Sequence, residues 1–354
     1  MDDRKTRTIE QETLDRVLRS LNKDFVNDLP IPPNDLLEFA KRRTNPFISD
    51  NISHSLGKSM LSHRLSDEDY LVTFFKVVNY VFSNKSPVGS SNAEILVSQT
   101  GAGKTRLRQL LLNRNKNTLV INSDLYKKFR PDVDQILKEN PNYFGALTGI
   151  DSYDHASNIT DLAATKSYNL LLECAPSNKQ GLVGIDMDTL TKRDYSIKYH
   201  VLAVGDLISL LSIHSRYEDD IRDTGKKGEA KLTDIKRHDE SYKGVENVLT
   251  ELPTRCVSIY RRGTQQENQI PQMLTKNNFE ESSYSSEELL KILKIERNNS
   301  NYNYIFDSIG KGFREDFNQI KRKMEDRHAL EEQMEQLKSI YSKYVNYSDN
   351  IMER

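Results

Sequence analysis

Lys104 and Thr105, with glycines at 101 and 103 just ahead of them, are the residues whose types and spacing most directly imply chemistry. They close the stretch EILVSQTGAGKT, Glu94 to Thr105. Ile95, Leu96 and Val97 read as a short buried strand, and Leu107, Leu110 and Leu111 give the apolar side of a helix that Lys104 opens. Strand, glycine turn, Lys-Thr and helix form the arrangement of a nucleotide phosphate loop. The backbone from Ser98 through Gly101, Ala102 and Gly103 to Arg106 would cradle phosphate oxygens, and the helix dipole would add to the attraction. Lys104 would reach the outer phosphates, and the Thr105 hydroxyl would bind Mg²⁺. ATP and Mg²⁺ are therefore the expected cofactors. The pattern G-x-x-x-x-G-K-[ST] has a glycine where this chain has Ser98. A chance glycine turn before a surface lysine is the competing reading, and the flanking strand and helix weigh against it.

Two carboxylates fall at comparable places. A strand over Thr118–Asn122 is followed by Asp124, and a strand over Asn169–Leu172 ends in Glu173. In open α/β sheets, ligands bind outside the carboxyl ends of the strands. Both acids therefore stand at the edge where chemistry occurs, although Asp124 could equally cap a helix. The loop Cys174 to Lys179, which holds Ser177, should face the same cleft. The charged, glycine-containing stretch Asp219 to Lys231 is either a solvated loop or a mobile lid carrying cations over the nucleotide.

The elements that must position these groups follow from periodicity. From Ala93 onward, short apolar strands alternate with helices, which predicts an α/β fold with a five-stranded, mostly parallel sheet flanked by helices. The remaining strands are expected at Tyr199–Val204 and Arg255–Arg262, with helices over Ala156–Lys166 and from Asp206 to Glu218. Residues 1–85 read as a helical extension, joined by the turn-rich segment 83–92. In it, Thr8 with Gln11 resembles a capping box, Asn34 can cap a short helix, and Ser66 with Asp69 can cap another. Residues 86–263 would form the phosphate-loop domain, and 264–354 a polar connection followed by one final helix from Phe313.

Composition narrows the classes. The 354 residues are 29% charged and carry a net charge of −1, which gives no global reason to expect nucleic acid or an anionic membrane as partner. The two cysteines, Cys174 and Cys256, lack metal-site spacing and fit a reducing cytoplasm. No segment approaches the run of about 18 apolar residues that a membrane span needs.

The ordered set of motifs resembles the zeta-toxin family of P-loop kinases. The resemblance covers residues 93 to 263 and rests on VINSDLYKKFRP (120–131), YNLLLECAPSNK (168–179), YHVLAVGDLISLLSIHSRYEDD (199–220), EAKLTDIKRHDE (229–240) and CVSIYRRG (256–263). It implies a toxin that uses ATP to phosphorylate the 3′-hydroxyl of the amino sugar in UDP-N-acetylglucosamine, held inactive by a small helical antitoxin. Lys104 and Thr105 match the loop residues, Asp124 the catalytic base, and Glu173 the substrate-binding acid. Arg216 matches the arginine of an Arg-Tyr-Glu motif. The second phosphate-binding arginine of the family falls on Lys231, which keeps the charge and loses bidentate geometry. Glu173 is followed by Cys-Ala-Pro where the family has Gly-Thr, and the substrate-contacting arginine falls on Ser177, with Lys179 nearby.

These departures touch the acceptor pocket more than the nucleotide site. A kinase with another acceptor (a nucleotide, NAD or a nucleic-acid end) is therefore an alternative, as is an ATP-binding switch without turnover. Arg216 could instead pair with Asp219 or Asp220 on its own helix. The position of residues 1–85, just ahead of the loop, raises inhibition in cis.

Overall fold

A computed structural model of the chain describes residues 6–44, 54–140, 143–176, 190–224, 232–264, 267–275, 284–306 and 312–352. Its principal sheet has six strands: β3 (Asn92–Val97), β4 (Thr118–Ile121), β5 (Asn169–Cys174), β6 (Ser196–Ala203), β7 (Val257–Arg261) and β8 (Gln272–Met273), in the order β4-β5-β3-β6-β7-β8. β4 and β5 are parallel, with Thr118 opposite Asn169 and Ile121 opposite Leu172. β6 and β7 are parallel, with Tyr199 opposite Val257. Leu170–Leu172 and Val201–Ala203 are buried without alternation, the pattern of strands covered by helices on both faces.

The sixth strand is a departure from the five expected. β8 runs antiparallel to β7 and lies in what reads as polar connection. Two residues are too few to show a period. The pairing is extended by Leu274 N–H donating to Ile259 O at 2.8 Å and by Ile259 N–H donating to Thr275 Oγ1 at 3.0 Å.

One compact unit comprises Met1–Ala93, Asn117–Leu172 and Ile185–Ser196. Here β1 (Thr6–Thr8) pairs antiparallel with β2 (Arg42–Thr44), so Thr8 is in a strand. α1 (Gln11–Ser20) starts after Glu10 with no side-chain cap, and the expected Thr8–Gln11 box does not form. α3 (Pro33–Ala40) starts on Pro33, whose ring presets the first turn, so Asn34 lies inside the helix. The third expected cap is present: Ser66 Oγ accepts from Asp69 N–H at 3.1 Å ahead of α5 (Asp67–Phe82).

Asp151, 2% exposed on α10 (Gly149–Thr165), accepts from Arg43 at 2.8 Å, from Arg130 at 2.9 Å and from the Leu65 N–H at 2.9 Å. Burial alone would raise the Asp151 carboxyl; these donors outweigh it and hold the group below the usual carboxylate range. Arg43 also pairs with Asp67 at 2.6 Å and lies over the Tyr70 ring. The first 85 residues thus supply partners to buried charges of this unit.

The second unit comprises Glu94–Lys116, Glu173–Gly184 and Ile197–Arg354. Its helices include α6 (Lys104–Arg114), α11 (Asp206–Thr224), α12 (Ile235–Leu249), α13 (Ser286–Phe306), α14 (Phe313–Asp326) and α15 (Glu331–Met352). Leu207, Leu210 and Leu211 of α11 share a core with Phe313, Ile320 and Met324 of α14 and with Leu337, Ile340 and Tyr344 of α15. The single helix expected from Phe313 is two. The chain turns at His328, with φ of 53°, and Arg327 there donates to both oxygens of buried Glu218, at 2.7 and 2.8 Å. α13 escapes sequence reading because its buried stripe, Leu289, Leu293, Arg297 and Asn301, changes from apolar to polar halfway along. No helix among the described residues is long and apolar enough to cross a membrane.

Candidate active site

The phosphate loop leaves the carboxyl end of β3 and enters α6. Gly101 and Gly103 have φ of 76° and 95°, a region that costs an L side chain energy. A Cβ on Gly101 would also stand 2.1 Å from the carbonyl oxygen of Ser209 on α11. Ser98 does not have positive φ, so a side chain is accommodated where the pattern has glycine. Its hydroxyl lies 3.4 Å from Lys104 Nζ, which also donates to the carbonyls of Ser98 at 3.3 Å and Gln99 at 3.0 Å. Gly103 occupies the N-cap of α6 without a side-chain cap, and the Arg106 N–H turns back to Gly103 O at 3.2 Å. Ala102 is buried, and Thr105 is exposed in that first turn. Arg106 is exposed and donates to Gln269 at 3.1 Å.

A buried polar layer fixes the loop from beneath. Gln99, fully buried, donates to Val204 O at 2.7 Å and accepts from Arg297 of α13 at 3.4 Å. Arg297 is 1% exposed, lies over the Tyr242 ring at 3.7 Å and pairs with Glu246 at 2.9 Å. The Thr100 N–H donates to Ser241 Oγ at 3.2 Å. Ser209 Oγ lies 2.8 Å from His238 Nε2, whose Nδ1 lies 3.0 Å from Asp239, which in turn pairs with Lys343 of α15 at 2.8 Å. Burial lowers the His238 pKa, opposed by Asp239. This Ser-His-Asp order is that of a nucleophilic triad. Ser209 and His238 are wholly buried and already bonded to one another, so the row positions the loop.

At the carboxyl end of β5, Glu173 pairs with Arg108 of α6 at 2.6 Å. The Ser98 N–H donates to Cys174 O at 3.2 Å, joining this strand end to the loop. Burial pushes the Cys174 thiol up to about 11, against the pull of Lys104 and Arg237. Arg237 of α12 donates to Ala175 O at 2.6 Å. Arg216 is exposed on α11 and makes no ion pair among the described residues; Asp219 pairs with Lys323 and Arg222 instead. Tyr217 and Glu218 beside it are buried against Gln333 and Arg327. Ser177, Lys179 and Lys231 lie outside the described residues.

Asp124 belongs to the other unit, in α7 (Ser123–Tyr126) just past β4. The cap of that helix is Asn122, whose Oδ1 accepts from the Asp124 N–H at 2.9 Å. The Asp124 carboxylate is therefore released from capping; its side chain is 60% exposed and pairs with Lys127 at 2.6 Å.

Arg108, Arg237, Arg262 and Arg297 all escape the sequence reading. Arg262 Nε would stand 3.8 Å from a Cβ on Gly103, and its Nη1 donates to Ser212 at 2.9 Å. The one signal in the sequence is for Arg297, which continues a four-residue apolar spacing.

A phosphate loop on a mostly parallel, helix-flanked sheet defines the P-loop kinase-like class of fold. Within it the chain belongs to the zeta toxin family, whose family model matches residues 80–269. It is 26% identical over 214 residues to the toxin zeta of Enterococcus hirae, covering 59% of this chain and 67% of the relative. It is 27% identical over 190 residues to the toxin zeta of Streptococcus agalactiae, covering 53% and 62%. A solved chain from the PezAT chromosomal toxin–antitoxin system of Streptococcus pneumoniae superposes with a TM-score of 0.55, covering 73% of this chain and 98% of that one at 14% identity.

Proposed function

We propose that the chain is an ATP-dependent kinase that phosphorylates a hydroxyl of a small metabolite and acts as the toxin of a toxin–antitoxin pair in the cytoplasm. The first acceptor to test is the 3′-hydroxyl of the amino sugar in UDP-N-acetylglucosamine. The observation that carries this reading is the loop: two left-handed glycines, an uncapped helix start, and Lys104 curled on the loop carbonyls. These residues fit a bound nucleotide, whose phosphates would replace the carbonyls as partners of Lys104.

Phosphoryl transfer is chiefly positioning and charge neutralisation. Lys104, Arg216 and Lys231 bind and neutralise the phosphates. Mg²⁺, held at the exposed Thr105 hydroxyl, supplies further neutralisation when bound. Asp124 accepts the proton of the attacking hydroxyl, and Lys127 fixes the direction of its carboxylate. Glu173 orients the acceptor, with Arg108 setting its geometry. Ser177 and Lys179 complete the acceptor loop. A helical antitoxin is the proposed partner, consistent with the names of the relatives and with the toxin–antitoxin system of the superposed chain.

The test is phosphorus NMR and mass spectrometry with Mg-ATP and an acceptor panel: UDP-sugars, free nucleotides and NAD. A new phosphomonoester is expected, with Asp124→Asn lowering turnover about 10²- to 10⁴-fold while ATP affinity stays within about twofold. Equal turnover by the variant would overturn the role of Asp124. Silence of the wild-type protein toward the whole panel would point first to inhibition in cis by residues 1–85, and, if variants of the exposed side chains of that segment were silent too, to a nucleotide-dependent switch.

A further inference from the structure

Arg237 is anomalous among the arginines. Among the described residues, seven other arginines of low exposure have a carboxylate partner: Arg43 has Asp151, Arg64 has Asp154, Arg108 has Glu173, Arg130 has Asp151, Arg261 has Glu267, Arg297 has Glu246 and Arg327 has Glu218. Arg237 has none. One of its terminal nitrogens donates to the Ala175 carbonyl at 2.6 Å; the other, Nη1, is buried with no hydrogen-bond partner among the described residues. An unsatisfied buried donor is costly, and more so on a charged group. Such a group in a native fold calls for a ligand or a function.

Its place in the fold says which. Arg237 and Ser241 are four residues apart and share one face of α12. From that face Ser241 accepts the Thr100 N–H of the phosphate loop, while Arg237 holds the carbonyl just past Cys174. The Cys174 carbonyl accepts from Ser98 at the start of the loop, and its thiol feels both Lys104 and Arg237. The guanidinium therefore sits at the Cys174–Ala175 end of β5, one helical turn along α12 from the Ser241 contact with the phosphate loop, and its buried Nη1 is the donor left over.

We propose that Arg237 contacts the transferring phosphoryl group and is a catalytic residue of this chain. The proposal rests on the kinase reading above. In the reaction the acceptor oxygen forms a bond to the γ-phosphorus, the bond from that phosphorus to the β,γ-bridging oxygen breaks, and ADP leaves with the electron pair. The acceptor proton passes to Asp124. Arg237 Nη1 donates to an equatorial oxygen of the phosphoryl group in flight. It provides the planar guanidinium geometry that Lys231, at the position matching a family arginine, does not have.

The test compares wild type, Arg237→Gln and Arg237→Lys in the full chain, reading ATP and ADP affinity by calorimetric titration, turnover, and melting temperature. Glutamine retains an amide donor for Ala175. Arg237→Gln is expected to weaken ATP about tenfold, leave ADP within about twofold, and lower turnover about 10²- to 10³-fold. Melting should be unchanged, with the lysine variant intermediate in turnover. Equal losses for ATP and ADP, a fall in melting temperature that accounts for the activity loss, or an effect confined to acceptor KM would each overturn the proposal. If neither wild type nor the variants of residues 1–85 transfer phosphate to any acceptor, the kinase reading fails on its own. The ATP-over-ADP preference then still decides whether Arg237 meets the third phosphate.

Discussion

At the scale of single residues, what could be read in advance was backbone-driven chemistry. Gly101, Gly103, Lys104 and Thr105 carry a pattern because the phosphate loop needs particular φ values and an uncapped helix start. Ser98 departs from that pattern harmlessly, since its φ is not left-handed. Gly101 has no such latitude. Gly101→Ala combines φ of 76° with a 2.1 Å clash against the Ser209 carbonyl, so it is expected to cost at least about 2 kcal/mol and to abolish nucleotide binding. Thermal melting and nucleotide titration check both parts. Less legible were the partners. Whether Asp124 caps a helix could not be decided from type alone, because Asn122 and Asp124 are both good caps; only the bond from the Asp124 N–H to Asn122 settles it. The Arg108–Glu173 pair joins positions 65 apart in the chain, a distance over which spacing carries no signal.

At the scale of elements, the strands that carry the loop and Glu173 stood out as unbroken apolar runs. What did not stand out was any element stabilised through polar burial. α13 presents Arg297 and Asn301 on its inward stripe, and the Arg327 turn divides what periodicity would join. The same physics governs α10. Asp151→Asn would leave Arg43 and Arg130 buried with less compensating charge, and is expected to destabilise the fold by about 3 kcal/mol, read as a lower urea midpoint. Deleting residues 1–85 removes Arg43 and the Leu65 N–H together. Inhibition in cis by that segment is therefore better tested by substituting its exposed side chains than by truncation.

At the scale of the whole molecule, the histidines set the acid limit. Burial pushes His155 and His214 down to about 4 and His200 to about 3. An unfolded histidine takes up its proton near pH 6.5, while these take theirs only near pH 3–4, so the unfolded state binds more protons throughout that window. Stability is thus full above about pH 6.5 and falls as the pH drops toward 4. Each of the three should cost about 2 kcal/mol at pH 5, opposed in sign by Glu94 and Glu296, whose carboxyls burial raises. Urea midpoints at pH 7 and pH 5 measure the difference, and an unchanged midpoint would refute the assignment of these rings as buried and neutral.

The polar layer beneath the phosphate loop also orders events in time. A ribosome adding about 5–20 residues per second finishes Thr105 roughly 10–40 s before it reaches Arg297, and Lys343 comes later still. Until then Gln99 and Asp239 wait for partners that have not been made. The part of the protein that would handle ATP is translated early and braced last, so the nascent polypeptide carries its phosphate loop through most of its synthesis without the residues that hold it in shape. For a protein whose relatives are toxins, that delay gives the cell an interval in which the chain exists and its loop is unfinished.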